Sequence, residues 1–183
     1  MRTFASVLTL AALLSAGFVS AAESTRVIIR TVGDVPGALS ERMVWWLTDA
    51  IGPATNAGAL PVRLLTASGV SKAAHSVAEK GAVVLVLAEG LKDEPRLFWN
   101  EPGLAVVNVS ALRPAGAATD ASRELLARRV EKVSVHGTAA ALGMSDCVFL
   151  YCALYRAQNF EELDKQARGL CPPCMEKLGK LGK

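Results

Sequence analysis

Apolar positions along the chain alternate between continuous β-rich runs and runs spaced by three or four residues. Val27, Ile28, Ile29 and Val32 predict a buried strand over 26–32, closed by the turn Gly33-Asp34-Val35-Pro36-Gly37. Met43, Val44, Leu47 and Ile51 recur at helical spacing, so a helix is expected from a cap at Ser40 to the breaker Gly52-Pro53, with Trp45 and Trp46 as core or rim residues. A loop rich in Gly, Ala and Pro is expected over 52–60 and a short strand over 61–65. A second helix is expected over 71–80, capped by Ser71 and carrying His75 on its surface. The uncharged run 81–87 is the clearest buried strand; 92–103 reads as a polar loop and 104–109 as another strand.

After the breaker Arg113-Pro114, Thr119 or Asp120 begins a long helix. Its stripe is Leu125, Leu126, Val130 and Val133, and Gly143 ends it. A short helix over 159–168 precedes the last two cysteines. The predicted order is β-α-β-α-β-β, a long helix and a cysteine-rich C-terminal lobe, an α/β (α+β) domain around a mixed sheet. No internal repeat is visible.

The N-terminus adds a compartment. Arg2 precedes an apolar run from Phe4 to Val19, and Val19-Ser20-Ala21-Ala22 supplies small residues for cleavage. These are the parts of a secretory signal over 1–22, which leaves one domain over 23–183 in a secreted or periplasmic setting, off the membrane once the signal is removed. The formal charge of +3 is spread without a block of basic residues, so nucleic acid is not an expected partner. Asn108-Val109-Ser110 matches a glycosylation acceptor but falls inside an expected strand.

The candidate chemistry lies in the C-terminal third. Cys147, Cys152, Cys171 and Cys174 form two close pairs separated by a longer segment, the spacing of a tetrathiolate zinc site. Export also permits structural disulfides, and four cysteines allow three pairings. Cys171-Pro172-Pro173-Cys174 is in addition a C-x-x-C motif, open to thiol redox chemistry. Upstream, His136 and Ala140 stand four residues apart on one helix face, followed by Gly143 and Asp146. Metzincin zinc peptidases use H-E-x-x-H-x-x-G-x-x-H, three ligands on one metal with the glutamate as base. Here His136, Gly143 and Asp146 keep that spacing, while Gly137 replaces the glutamate and Ala140 the second histidine.

With these residues the sequence resembles the archaemetzincins, a family of metzincin-like zinc peptidases with the signature H-E-x-x-H-x-x-G-x3-C-x4-C-x-M and a later C-x-x-C. Three residues separate Gly143 from Cys147 and four separate Cys147 from Cys152; Leu154 stands at the methionine, and Cys171-x-x-Cys174 follows. The opening strand with Gly33-Asp34-Val35, and the segment 107–114, look like the corresponding parts of the family, so the similarity spans most of the expected domain. The resemblance implies a metzincin-like fold, a catalytic zinc on the histidines and a structural zinc on Cys147, Cys152, Cys171 and Cys174.

The departures decide the expected function. Gly137 offers no general base, whose loss alone costs about 10²–10⁴ in rate. His136 and Asp146 supply two ligands where a catalytic zinc needs three and an open position. The expectation is a pseudoenzyme that keeps a structural zinc and binds a peptide or protein in a vestigial cleft, where His136 is a hydrogen-bonded remnant. A divergent metallopeptidase with an unrecognised third ligand and a thiol-redox protein built on Cys171 and Cys174 are the alternatives.

Overall fold

A computed structural model describes residues 26–62, 65–91 and 94–181. The expected signal segment 1–22 lies outside the described residues. The strands are β1 (Arg26–Val32), β2 (Ala54–Ala59), β3 (Ala82–Ala88), β4 (Phe98–Glu101) and β5 (Leu104–Asn108). They form one sheet in the order β2-β1-β3-β5-β4. β2, β1, β3 and β5 run parallel, and β4 joins antiparallel at one edge. The helices are α1 (Gly37–Ala50), α2 (Ala67–His75), α3 (Asp120–Ala141), α4 (Phe160–Lys165) and α5 (Pro172–Leu181).

The central strands read as uninterrupted apolar runs because both of their faces are covered. Val27, Ile29, Leu85, Leu87, Ala105 and Val107 face α1 and α3. Val84, Val86, Ala88, Leu104 and Val106 face α2. Successive side chains of β4 divide in the same way: Phe98 packs on the α3 side and Trp99 on the α2 side.

The second strand is Ala54–Ala59, not the segment at 61–65, of which Pro61, Val62 and Leu65 are outside any strand and residues 63 and 64 are not described. β2 is an edge strand with one buried residue, Ala54, so it carries no apolar pattern. Backbone bonds hold it, with Val27 N donating to Pro53 O (2.8 Å) and Leu60 N to Thr31 O (2.8 Å) at the two ends of the pairing with β1. The expected polar loop 92–103 likewise contains β4, which turns into β5 through Pro102 and Gly103 at φ 75°.

Two caps also differ. α1 starts at Gly37 behind Pro36, and Ser40 is buried inside it, donating to Gly37 O (2.8 Å). α2 is capped by Thr66, which accepts from Gly69 N, while Ser71 accepts from Trp99 Nε1 (3.0 Å). Asn108 is buried, donating to Glu94 O (2.8 Å), which removes it as a glycosylation acceptor.

α3 starts as expected, with Thr119 and Ser122 in a reciprocal capping box. It packs against β5 and β4 on one side and the C-terminal lobe on another, so residues 129–139 are buried nearly all round. Its charged side chains in this stretch are paired, while the Ser134 and Thr138 hydroxyls have no partner among the described residues. Glu131 is 1% exposed and accepts from Arg42 Nε (2.6 Å) and Arg168 Nη1 (3.2 Å). Arg129 grips Asp164 with two bonds (2.8 and 2.7 Å), and Lys132 donates to the carbonyls of Leu163 (2.7 Å) and Asp164 (2.8 Å). These contacts fasten α4 to α3. Among the described residues no helix is long and apolar enough to cross a membrane.

Candidate functional site

Two sites flank the C-terminal end of α3. The first is a cleft of about 390 Å³ between α3, β4 and the lobe, with His136, Ala140 and Asp146 in its wall. His136 and Ala140 share a face because they are one helical turn apart. Gly143, at φ 93°, ends the helix and redirects the chain so that Asp146 returns to His136. His136 Nε2 lies 3.2 Å from Asp146 Oδ1; a carboxylate only accepts, so Nε2 carries the hydrogen. The His136 side chain is 8% exposed and that of Asp146 52%. Burial pushes the His136 pKa below its ordinary value, against the opposing pull of Asp146.

Phe98 closes the cleft from β4, its ring centroid 4.8 Å from that of His136 at an interplanar angle of 51°. Gly137 faces the same strands. A Cβ built there would meet Ala105 Cβ at 3.3 Å and Phe98 Cδ2 at 3.5 Å. The position where the metzincin pattern has its base is thus used for close helix–sheet packing. Tyr155, Arg156 and Gln166 complete the wall from the lobe. Sequence spacing did not single out Phe98, Tyr155 or Arg156; the apolar run Leu97-Phe98-Trp99 inside an otherwise polar segment is the one signal that could have marked Phe98. His75 sits elsewhere, on α2 across the sheet, bonded to Glu101 (2.7 Å).

The second site joins the four cysteines. Cys147 and Cys152 come from the loop after α3, Cys171 immediately precedes α5, and Cys174 lies in its first turn. Their Sγ atoms all lie within 4.8 Å of one another, with Cys147 and Cys171 3.9 Å apart. A tetrahedral zinc with Zn–S bonds of about 2.3 Å sets its sulfurs about 3.8 Å apart. Four mutually adjacent thiols match that geometry. Among the described residues, no other group of three or more His, Cys, Asp or Glu side chains converges in this way.

Burial raises the Cys174 and Cys152 thiols above their ordinary value. Burial also works against a Cys171 thiolate, but the Cys174 N–H and the neighbouring thiols donate to it and bring Cys171 below that value. Pro172 and Pro173 open α5 directly after Cys171.

The layered sheet, the long helix and the terminal lobe recur in solved structures. The crystal structure of archaemetzincin from Methanopyrus kandleri superposes with a TM-score of 0.69 at 18% identity, covering 89% of this chain and 98% of that one. This chain has the archaemetzincin fold. A zinc-dependent peptidase from Methanocorpusculum labreanum gives 0.67 at 18% identity over 83% of this chain and 99% of its own. Archaemetzincin from Archaeoglobus fulgidus, solved with malonate, gives 0.64 at 20% identity over 84% and 99%. No family model and no curated protein sequence matches the chain. The fold agrees with the resemblance read from the cysteine and histidine spacing, and the archaemetzincin-like architecture accounts for nearly the whole of each relative.

Proposed function

We propose that this chain is an exported, catalytically silent protein of the archaemetzincin fold, which holds a structural zinc on Cys147, Cys152, Cys171 and Cys174 and binds a peptide or protein segment in the cleft beside His136. The observation that carries the reading is the contrast between the two sites. Four thiols converge in the lobe, whereas His136 and Asp146 alone remain of the metzincin motif in the cleft.

Thiolates suit zinc because they are soft, anionic and fill a tetrahedron. Bound there, the ion would supply a closed crosslink between the loop after α3 and the start of α5. At the cleft, Ala140 provides no ligand and Gly137 no base, so neither a held metal nor proton removal from a bound water is provided for. The wall that remains suits a passive ligand. β4 is an edge strand, open to pairing with an extended segment, and Phe98 and Tyr155 offer aromatic surface.

The test is zinc per chain on protein exported through its own signal, with peptidase assays alongside. About one zinc, lost in Cys152→Ser and Cys174→Ser and kept in His136→Ala, is expected for a closed four-cysteine site. Chelator-sensitive peptide cleavage that His136→Ala abolishes would overturn the silent-cleft reading. Absence of zinc, with no free thiol, would replace the metal with disulfides.

The thiol-redox reading keeps one favourable observation: Cys171 is the thiol whose pKa is lowered, and it stands at the start of a helix. It requires a reversible dithiol potential that Cys171→Ser removes. An unreactive pair in the native protein disposes of it.

A further inference from the structure

Between the first two cysteines the chain reads Val148-Phe149-Leu150-Tyr151, four consecutive apolar residues in a loop. Such a run on a soluble surface serves no packing purpose unless something covers it. Val148 is 97% exposed, and Phe149 and Tyr151 are both more than half exposed. The two rings pack on each other, centroids 5.8 Å apart at 64°, so they form one knob. Cys147 and Cys152 fix the loop at both ends, since their sulfurs belong to the thiol cluster. The knob is therefore presented in a set shape.

Beside it runs a groove of about 860 Å³ between this loop and α5, walled by Pro172, Pro173 and Leu181. Met175 and Leu181 of α5 are also exposed. Lys177 and Lys180 line the same groove, the latter paired with Glu176 (2.6 Å) at a solvent-exposed site where such pairs are weak. Asp146 is the one acidic residue in the wall, and it faces His136.

We propose that this face of the cysteine lobe docks on an anionic lipid surface, with Val148, Phe149 and Tyr151 entering the headgroup region and Lys177 and Lys180 meeting the lipid charge. Aromatic and aliphatic tips next to lysines are the composition of an interfacial membrane contact. A projecting residue as bare as Val148 has no complementary wall of its own, and a bilayer conforms to it. β1, β3 and β5 begin at one end of the sheet, with Arg26 opposite Ala82 and Val84 opposite Leu104. Gly103 N, at that end, donates to Ala141 O (3.1 Å), so α3 finishes there, and Gly143 and Met144 continue into the groove wall.

The experiment is co-sedimentation of the exported protein with vesicles of equimolar phosphatidylglycerol and phosphatidylcholine, and with phosphatidylcholine alone. Binding is expected on the anionic vesicles and to weaken with added salt. Lys177→Gln with Lys180→Gln lowers it about tenfold or more. Val148→Ser with Phe149→Ser lowers it by a similar factor, and Tyr151→Ser acts in the same direction; unchanged thermal melting checks that the fold is intact. No binding to anionic vesicles overturns the proposal. So does binding that survives Val148→Ser with Phe149→Ser, which would place the contact elsewhere in the chain. A concentration-dependent dimer that the same substitutions dissolve would also overturn it, since a second copy would then cover the face.

Discussion

The ring of Phe98 lies 4.8 Å from the ring of His136 and reaches within 3.5 Å of where a Cβ of residue 137 would stand. One side chain on an edge strand thus covers both the surviving histidine and the position at which the metzincin pattern has its base. Because Phe98 and Gly137 share this volume, a change at either is felt at the other.

Gly137→Ala tests the packing. In a helix interior the change should gain about 1 kcal/mol. The new methyl, however, would lie 3.3 Å from Ala105, a fully buried residue on β5 between β3 and β4. Overpacking of this kind costs about 1–3 kcal/mol. A net loss of about 1 kcal/mol is expected, measured by urea unfolding. A stabilised variant would show that the helix has room to move off the sheet.

On the proposed silent-cleft reading, the absent ligand and the absent base are separable. Ala140 lines the cleft with His136 and Asp146, so Ala140→His alone should add a third ligand and raise bound zinc by about one per chain. Gly137→Glu alone should not. Adding both should still give no peptidase activity until Phe98→Ala makes room for the carboxylate. Zinc analysis and a peptide-cleavage assay across the series would show whether the two functions return in that order.

Acid stability should carry two signatures. The His136 imidazole titrates near 6.5 when unfolded and lower in the fold, where burial keeps it neutral. As pH falls through that value the unfolded chain takes up a proton that the fold does not, so stability drops until the folded pKa is reached; above about 6.5 it is complete. The melting temperature should fall over this range and His136→Gln should flatten it. Further down, Glu124, held at about 2 by its bonds to Arg42 and then to Arg128, gives a second loss as pH drops below its unfolded value of 4.5. Arg42→Gln should shrink that second step, leaving the part that Arg128 supplies.

Glu131 is the buried hub joining α1, α3 and the lobe through Arg42 and Arg168. Glu131→Ala leaves Arg168 without its carboxylate acceptor and Arg42 with Glu124 alone. About 3 kcal/mol of stability should be lost, at the low end for breaking a buried pair because both arginines retain access to water. A loss below about 1 kcal/mol would mean that water replaces the carboxylate without penalty.

Metal removal should act on the lobe before the sheet. Chelation of the proposed zinc should increase amide exchange across 147–174 while β1, β3 and β5 stay protected, because those strands sit in the core and the lobe rests on α3. Exchange that rises uniformly would instead make the ion part of one global unfolding unit.

Much of this was written into short stretches of sequence. β1, β3 and β5 were legible because strands covered on both faces consist almost wholly of apolar residues. α3 was legible because Thr119 caps a long periodic run, and Gly143 at φ 93° ends it. The cysteine spacing and the residues at 136, 137, 140, 143 and 146 carried the resemblance to the archaemetzincins, and that resemblance implied the fold found here.

What lay between distant segments was decided only by the tertiary structure. β2 and β4 are edge strands held by backbone pairing, which leaves no side-chain period to read. The placement of Phe98 over His136 depends on the antiparallel return of β4 beside β5. The burial of Glu131 depends on α1 and the lobe closing over α3 from opposite ends of the chain. The four thiols become one cluster because the loop after α3 and the start of α5 meet there. Sequence spacing specifies local geometry, whereas these contacts form between residues far apart in the chain and exist only once the layers have packed.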